Sequence, residues 1–155
     1  MHAHRTAHGR RGFTLVELLV VFAIVALMAA VVPVAFDKVR DSAQYRNTLR
    51  TMLTDMRSAR YRALSQGIEV SFSVDLDQRT YGVDGQPAHD IPQSLQLRTV
   101  VASTEAATGR VASIRFLPNG GATGGSVEVV RPAGNGTRLR VDWLSGRVSQ
   151  EPLAP

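Results

Sequence analysis

The chain has no cysteine, a single lysine, and few aromatic residues: five Phe, three Tyr and one Trp. Without cysteine there is no disulfide, no thiol nucleophile and no thiolate metal site, and the sequence is silent about redox compartment. Basic charge is carried almost wholly by arginine, which reflects composition and is no nucleic-acid signal in itself. Of the formal net charge of +5, Arg5, Arg10 and Arg11 supply three; the remaining +2 is not strongly basic. The 155 residues suffice for one anchor segment and one modest domain of about 90 residues.

What is abundant is apolar sequence near the start. From Leu18 to Phe36 there is no charged residue. At ~1.5 Å per residue this run of about 19 residues makes ~28 Å of helix, close to the ~30 Å of a bilayer's hydrocarbon core. A helix apolar on every side gains nothing in water, so the segment belongs in lipid or among similar helices. Glu17 stands at the mouth of the run, five residues past Gly12. A carboxylate there costs a few kcal/mol unless it reaches the interface or finds a partner. Both readings stand: a glutamate snorkelling into headgroups, and one that pairs specifically.

Gly12, Phe13, Thr14, Leu15 and Glu17, followed by about twenty apolar residues, resemble the processing and assembly signal of type IV prepilins and type II secretion pseudopilins. The resemblance implies cleavage between Gly12 and Phe13 by a prepilin peptidase and methyltransferase, with N-methylation of the new amine of Phe13. It also implies that Glu17 meets the N-terminal amine of a neighbouring subunit and sets the stagger of packed helices. Opposite charges in a low dielectric attract strongly and are costly apart. An ordinary secretory signal peptide fits less well, since the apolar run is long, is opened by Glu17, and is followed by no small-x-small site. A plain signal anchor is the other alternative. Charge counting does not orient the segment: Arg5, Arg10 and Arg11 precede it, and Lys38, Arg40, Arg46 and Arg50 follow it. A cytoplasmic N-terminus and a periplasmic C-terminal domain, on a single pass through the inner membrane, follow from the resemblance.

Pro33 is expected to bend the helix. From Asp37 to Gln66 the pattern is amphipathic. Leu49, Met52, Leu53, Met56, Ala59, Ala63 and Leu64 recur at spacings of three and four, with Arg50, Asp55, Arg57 and Arg62 opposite. Gly67 is a helix stop. The period then falls to two: Ile68, Val70, Phe72 and Val74 predict a half-buried strand, and Tyr81 and Val83 its return. Residues 84–94 read as loop, Leu95 to Val101 as a strand, 102–110 as an exposed loop. Three further strands are expected at 111–117, 126–131 and 138–143, joined by glycine-rich turns, with LSGRV closing the chain.

Catalytic and metal readings find little support. Asp75 and Asp77 are two carboxylates on a turn, too few for calcium. His2, His4 and His8 fall in the basic leader, which leaves His89 without a second histidine or an acid constellation. The glycines of 120–125 lead into a strand with no Lys-Ser/Thr, so they are hairpin residues, not a phosphate loop. No cofactor or metal is expected, and no enzyme.

RFLPNGGATGG, the strand SVEVV and the ending VDWLSGRV resemble the C-terminal signature of the GspH/FimT pseudopilins. The resemblance implies an α+β fold: a long N-terminal α-helix packed on a small antiparallel β-sheet domain. The expected organisation is a leader at 1–12, an assembly helix at 13–36, an amphipathic helix at 37–67, a β domain at 68–150 and a tail at 151–155. Phe116 and Trp143 are expected in the core and Gly146 in a turn. Two functions remain. One is the H-type minor pseudopilin of type II secretion, with other pseudopilins and the inner-membrane assembly platform as partners. The other is a FimT-like minor type IV pilin, with pilus biogenesis or DNA uptake as its role. DNA-binding members resemble one another in a Gly-Arg-x-Arg ending. Here Gly146-Arg147-Val148-Ser149 lacks the second arginine, which favours secretion. Arg138, Arg140 and Arg147 are the candidate DNA contacts.

Overall fold

The computed structural model describes residues 13–101 and 111–153, without the side chains of residues 30–38. The leader at 1–12 and the loop expected at 102–110 lie outside the described residues; the backbone of α1 is helical through Pro33, where a bend was expected. Two compact units divide after Arg40.

Helix α1 (Leu15–Gln66) is the single helix among the described elements, 52 residues long. Its start is capped. The Thr14 hydroxyl oxygen accepts the Glu17 backbone N–H at 3.3 Å, and the Thr14 carbonyl accepts the Leu18 N–H at 3.2 Å. That is the work of an N-cap residue, satisfying donors that the first turn leaves open. In this first unit the apolar side chains from Phe13 to Met28 stand exposed on all sides of the helix. The uncharged run passes on into residues 30–38. Among the described residues no helix is long and apolar enough to cross a membrane.

The second unit joins the C-terminal part of α1 to eight strands. Met52, Met56, Ala59 and Ala63 are fully buried, following the expected spacings of four, three and four. Leu49 and Leu53 flank them half-buried, and Tyr45 extends the stripe. Leu64 was expected in that stripe and is exposed, because one residue past Ala63 turns ~100° away from the core. Asp55 was expected on the solvated face, yet its side chain is only 14% exposed. Gly67 ends the helix at φ +66°, the left-handed conformation of a glycine helix stop.

The strands are β1 (Val70–Asp75), β2 (Thr80–Val83), β3 (His89–Asp90), β4 (Gln96–Val101), β5 (Val111–Phe116), β6 (Gly125–Val130), β7 (Gly136–Val141) and β8 (Val148–Leu153). They form two antiparallel sheets, in the orders β3-β2-β1-β5 and β4-β6-β7-β8. Register follows the pleat. Phe72 lies opposite Val83 and Ile114, and Val70 opposite Phe116, which gathers the large side chains on one face. Val127, Val129, Leu139 and Val141 supply the second sheet's inner face, and all join one core with the helix stripe.

Four local expectations are corrected. The first strand begins at Val70, not Ile68, which the turn after Gly67 leaves exposed. The loop read over 84–94 contains β3, and Ile91 and the adjoining Leu95 are buried in the core. Arg79 fixes this stretch: its Nη2 donates to the carbonyls of Pro92 and Leu95 at 2.9 and 3.0 Å. Residues 151–153, read as the start of a tail, are part of β8, held by ladder pairing of Glu151 with Arg138 and Pro152 with Thr137. Trp143, expected in the core, is 67% exposed. β7 stops at Val141, and the Asp142 carboxylate accepts the Ser145 N–H and hydroxyl at 2.8 Å each, turning the chain before Trp143 can enter the ladder.

Candidate functional site

Two regions carry the functional expectations. The first is the start of α1. Phe13 lies just outside the helix, is 78% exposed, and precedes the Thr14 cap. Glu17 sits in the first helical turn, where a negative charge complements the helix dipole. Thr14 and Glu17 together have the S/T-x-x-E spacing of a capping box, a signal present in the sequence but not used to place the helix start. The hydroxyl and the acid thus begin a helix whose apolar side chains are uncovered from Phe13 to Met28. Gly12 lies outside the described residues.

The second region is the glycine-rich hairpin and the closing turn. Phe116 is fully buried at the end of β5 and bridges to Ala122 across the hairpin. Within the hairpin Leu117 donates to Gly121, and the Gly121 N–H donates to the Asn119 side chain at 3.0 Å. The Ala122 N–H donates to the Trp143 carbonyl at 2.8 Å, which ties hairpin to turn. Arg60 Nε donates to the Ser145 carbonyl at 3.0 Å, tying the turn to the helix. Gly146 sits at φ +60°, and a Cβ there would come within 2.7 Å of the Gly120 carbonyl oxygen. The hairpin that holds Phe116 and Gly120 and the later turn that holds Gly146 therefore form one interlocked corner.

The candidate DNA contacts do not form a free basic patch. Arg138 directs Nε and Nη2 at Glu128 Oε1, at 3.0 and 2.7 Å, and Nη1 toward Glu151 Oε2 at 3.6 Å. Arg140 Nη1 lies 3.8 Å from Glu151 Oε1. Arg147 is exposed on the closing turn. Interleaved carboxylates repel phosphate, and a phosphate-binding face needs unpaired cations.

A third cluster was not expected. Asp55 on α1 lies 3.5 Å from His89 Nε2, and His89 stacks at 5.3 Å against Tyr81. Burial raises the Asp55 pKa against the lowering effect of His89. Burial also pushes Tyr81 up to about 12. Asp55 Oδ2 is buried without a hydrogen bond. The cluster fastens the β2–β3 hairpin to the helix. Nothing in the residue spacing showed it, because strand pairing alone brings His89 beside Tyr81.

Comparison with known proteins addresses both regions. Residues 7–33 match the prokaryotic N-terminal methylation motif. The protein H of the type II secretion system of Xanthomonas campestris pv. campestris is 29% identical, over 99% of this chain and 92% of its own length. Among solved structures, the minor pseudopilin EpsH from the type 2 secretion system of Vibrio cholerae has a TM-score of 0.53 at 12% identity, covering 72% of this chain and 98% of its own. The type IV minor pilin FimU of Pseudomonas aeruginosa has a TM-score of 0.53 at 18% identity, covering 71% and 96%. At such identities these two establish the fold. Residues 48–146, from the amphipathic helix through the interlocked glycine corner, match the family described as type II transport protein GspH, and the chain belongs to that family.

Proposed function

We propose that the chain works mechanically, as a minor pseudopilin and structural subunit of the type II secretion pseudopilus, not as an enzyme. The observation that carries this is the joining, in one chain, of a methylation motif at 7–33 to a GspH domain at 48–146. A prepilin peptidase cuts between Gly12 and Phe13 and the Phe13 amine is methylated. The apolar segment holds the protein in the inner membrane, N-terminus cytoplasmic and β domain periplasmic, until the helix packs among those of other pseudopilins at the assembly platform. Leaving lipid for an apolar bundle costs the helix little, and pairing of Glu17 with a neighbour's amine fixes the register. The β domain then selects partners in the assembly.

Mass spectrometry of the native protein tests this directly. The expected N-terminus is N-methylated Phe13; an intact Met1 terminus, or cleavage beyond Ala35, defeats the reading. The alternative, a FimT-like minor type IV pilin binding DNA, is disfavoured by the pairing of Arg138 and Arg140 with Glu128 and Glu151. Salt-dependent retardation of duplex DNA by the purified protein would reinstate it.

A further inference from the structure

The C-terminal part of α1 carries one line of side chains that the fold leaves uncovered. Arg46, Arg50, Arg57, Tyr61 and Leu64 follow one another at spacings of four, seven, four and three, and all are exposed. At ~100° and ~1.5 Å per residue they fall within about 60° of arc along ~27 Å of helix. The line lies opposite the stripe of Met52, Met56, Ala59 and Ala63 that is buried in the core.

Its charge is all of one sign. Asp41 and Asp55, the acids of this stretch, stand about 180° and 140° around the helix from Arg50. Among the described residues, Arg46, Arg50 and Arg57 form no ion pair or hydrogen bond. The second sheet differs, since carboxylates there are interleaved with Arg138 and Arg140. Beside the line, Arg60 and Arg62 donate to the backbone carbonyls of Ser145 and Asp84, which are neutral acceptors. Arg46 and Arg50 are like charges one turn apart, which weakens a lone helix and is relieved by an acidic partner. The rest of the line is apolar and aromatic: Tyr61 is 71% exposed and Leu64 43%. Arginine and tyrosine are enriched where proteins bind one another.

We infer that this helix face docks on a carboxylate-bearing surface of a different, neighbouring pseudopilin, an inference that rests on the pseudopilin reading above. The arginines take the partner's carboxylates, and Tyr61 and Leu64 take its apolar side chains. α1 is also the element through which that reading packs subunits. A second copy of this chain is a poorer partner, because its Glu69, Glu128 and Glu151 are already paired with arginines. A bilayer surface is poorer too. A helix lying on lipid inserts its apolar face, and here that face is in the core. Duplex DNA would gain about three phosphate contacts, an affinity that falls about fortyfold between ~50 and ~200 mM salt. Tyr61 and Leu64 would have no part in it.

Photocrosslinking in the native cell identifies the occupant. Thr54→benzoylphenylalanine places the probe at an exposed site in the middle of the line. Irradiation of the full-length protein is expected to give an adduct with another pseudopilin, at a segment flanked by aspartate or glutamate. Arg50→Glu with Arg57→Glu is expected to cut that adduct about tenfold, since attraction becomes like-charge repulsion. Arg50→Gln with Arg57→Gln, which removes charge without reversing it, is expected to cut it less. Arg140→Glu, on the second sheet, should leave it unchanged. An adduct with lipid, DNA or a second copy, an adduct at a segment without carboxylates, no adduct, or one indifferent to the paired reversal each overturns the inference. Mass spectrometry of the N-terminus in the same samples keeps the two readings apart. Methylated Phe13 together with any of these failures sinks the docking alone, whereas an unprocessed chain sinks the pseudopilin reading.

Discussion

Glu128 and Arg138 stand directly opposite each other on β6 and β7, and two guanidinium nitrogens of the arginine donate to one glutamate oxygen at 3.0 and 2.7 Å. Glu151 opposes Arg138 from the other side, on β8. The bonds to Glu128, then its charge, hold Arg138 still more firmly protonated than an ordinary arginine. Arg138, a candidate DNA contact in the sequence, is thus the centre of a row of alternating charges across four strands.

The ladder's contribution to stability can be measured. Glu128 is largely buried, with a side chain 12% exposed, while Arg138 is 40% exposed. Truncating Glu128→Ala is expected to cost about 1–2 kcal/mol, charge-assisted but moderated by solvent. Exchanging the two, Glu128→Arg with Arg138→Glu, should recover part of the loss in urea unfolding of the full chain in detergent. A double variant no more stable than either single change contradicts the pairing.

The two aromatic residues of the C-terminal signature should separate cleanly. Phe116 is fully buried, so Phe116→Ala should lose about 3–5 kcal/mol. Trp143 is exposed, so Trp143→Ala should stay within about 0.5 kcal/mol of the parent. Similar losses for both, followed by circular dichroism during unfolding, would place Trp143 in the core after all.

Gly146→Ala forces a side chain into a left-handed conformation costing roughly 1–2 kcal/mol, and adds a contact of 2.7 Å with the Gly120 carbonyl. The expected outcome is a larger loss than for alanine at Gly134, which has open space around it. Equal thermal midpoints for the two variants would show that the corner is not interlocked.

Asp55 makes stability depend on pH. Its pKa is raised in the folded chain by burial, so the folded state holds this proton more tightly than the unfolded state does. Its favourable contribution is complete at acid pH and is lost as pH climbs through the raised value. Asp55→Asn should therefore raise the thermal midpoint at neutral pH and give no advantage in acid. The same gain at both pH values would assign the effect to packing. His89→Gln, which removes the partner that lowers the Asp55 pKa, should leave that pKa raised further.

Glu17→Gln keeps the cap geometry, since Thr14 bonds the backbone of residue 17, and removes the charge. We expect processed, methylated protein that accumulates in the membrane and is missing from the sheared pseudopilus fraction by immunoblot. Normal recovery in that fraction would leave Glu17 as an interfacial residue with no assembly role.

Local patterns fixed much of this protein in advance. The apolar run, the four-three-four helix stripe ending at Gly67 and the alternation of Val70, Phe72 and Val74 each follow from one element's own periodicity, so neighbouring residues suffice to reveal them. Thr14 was equally legible as a cap through its spacing to Glu17. Long-range pairing decided the rest. Strand register set Glu128 between Arg98 and Arg138 and carried Glu151 into β8, turning a basic stripe into a balanced ladder. The early stop of β7 turned Trp143 outward, and the seating of the β2–β3 hairpin on α1 buried Asp55. Whether a side chain is paired, buried or available depends on what lies across from it, and that neighbour is chosen by the folded chain as a whole.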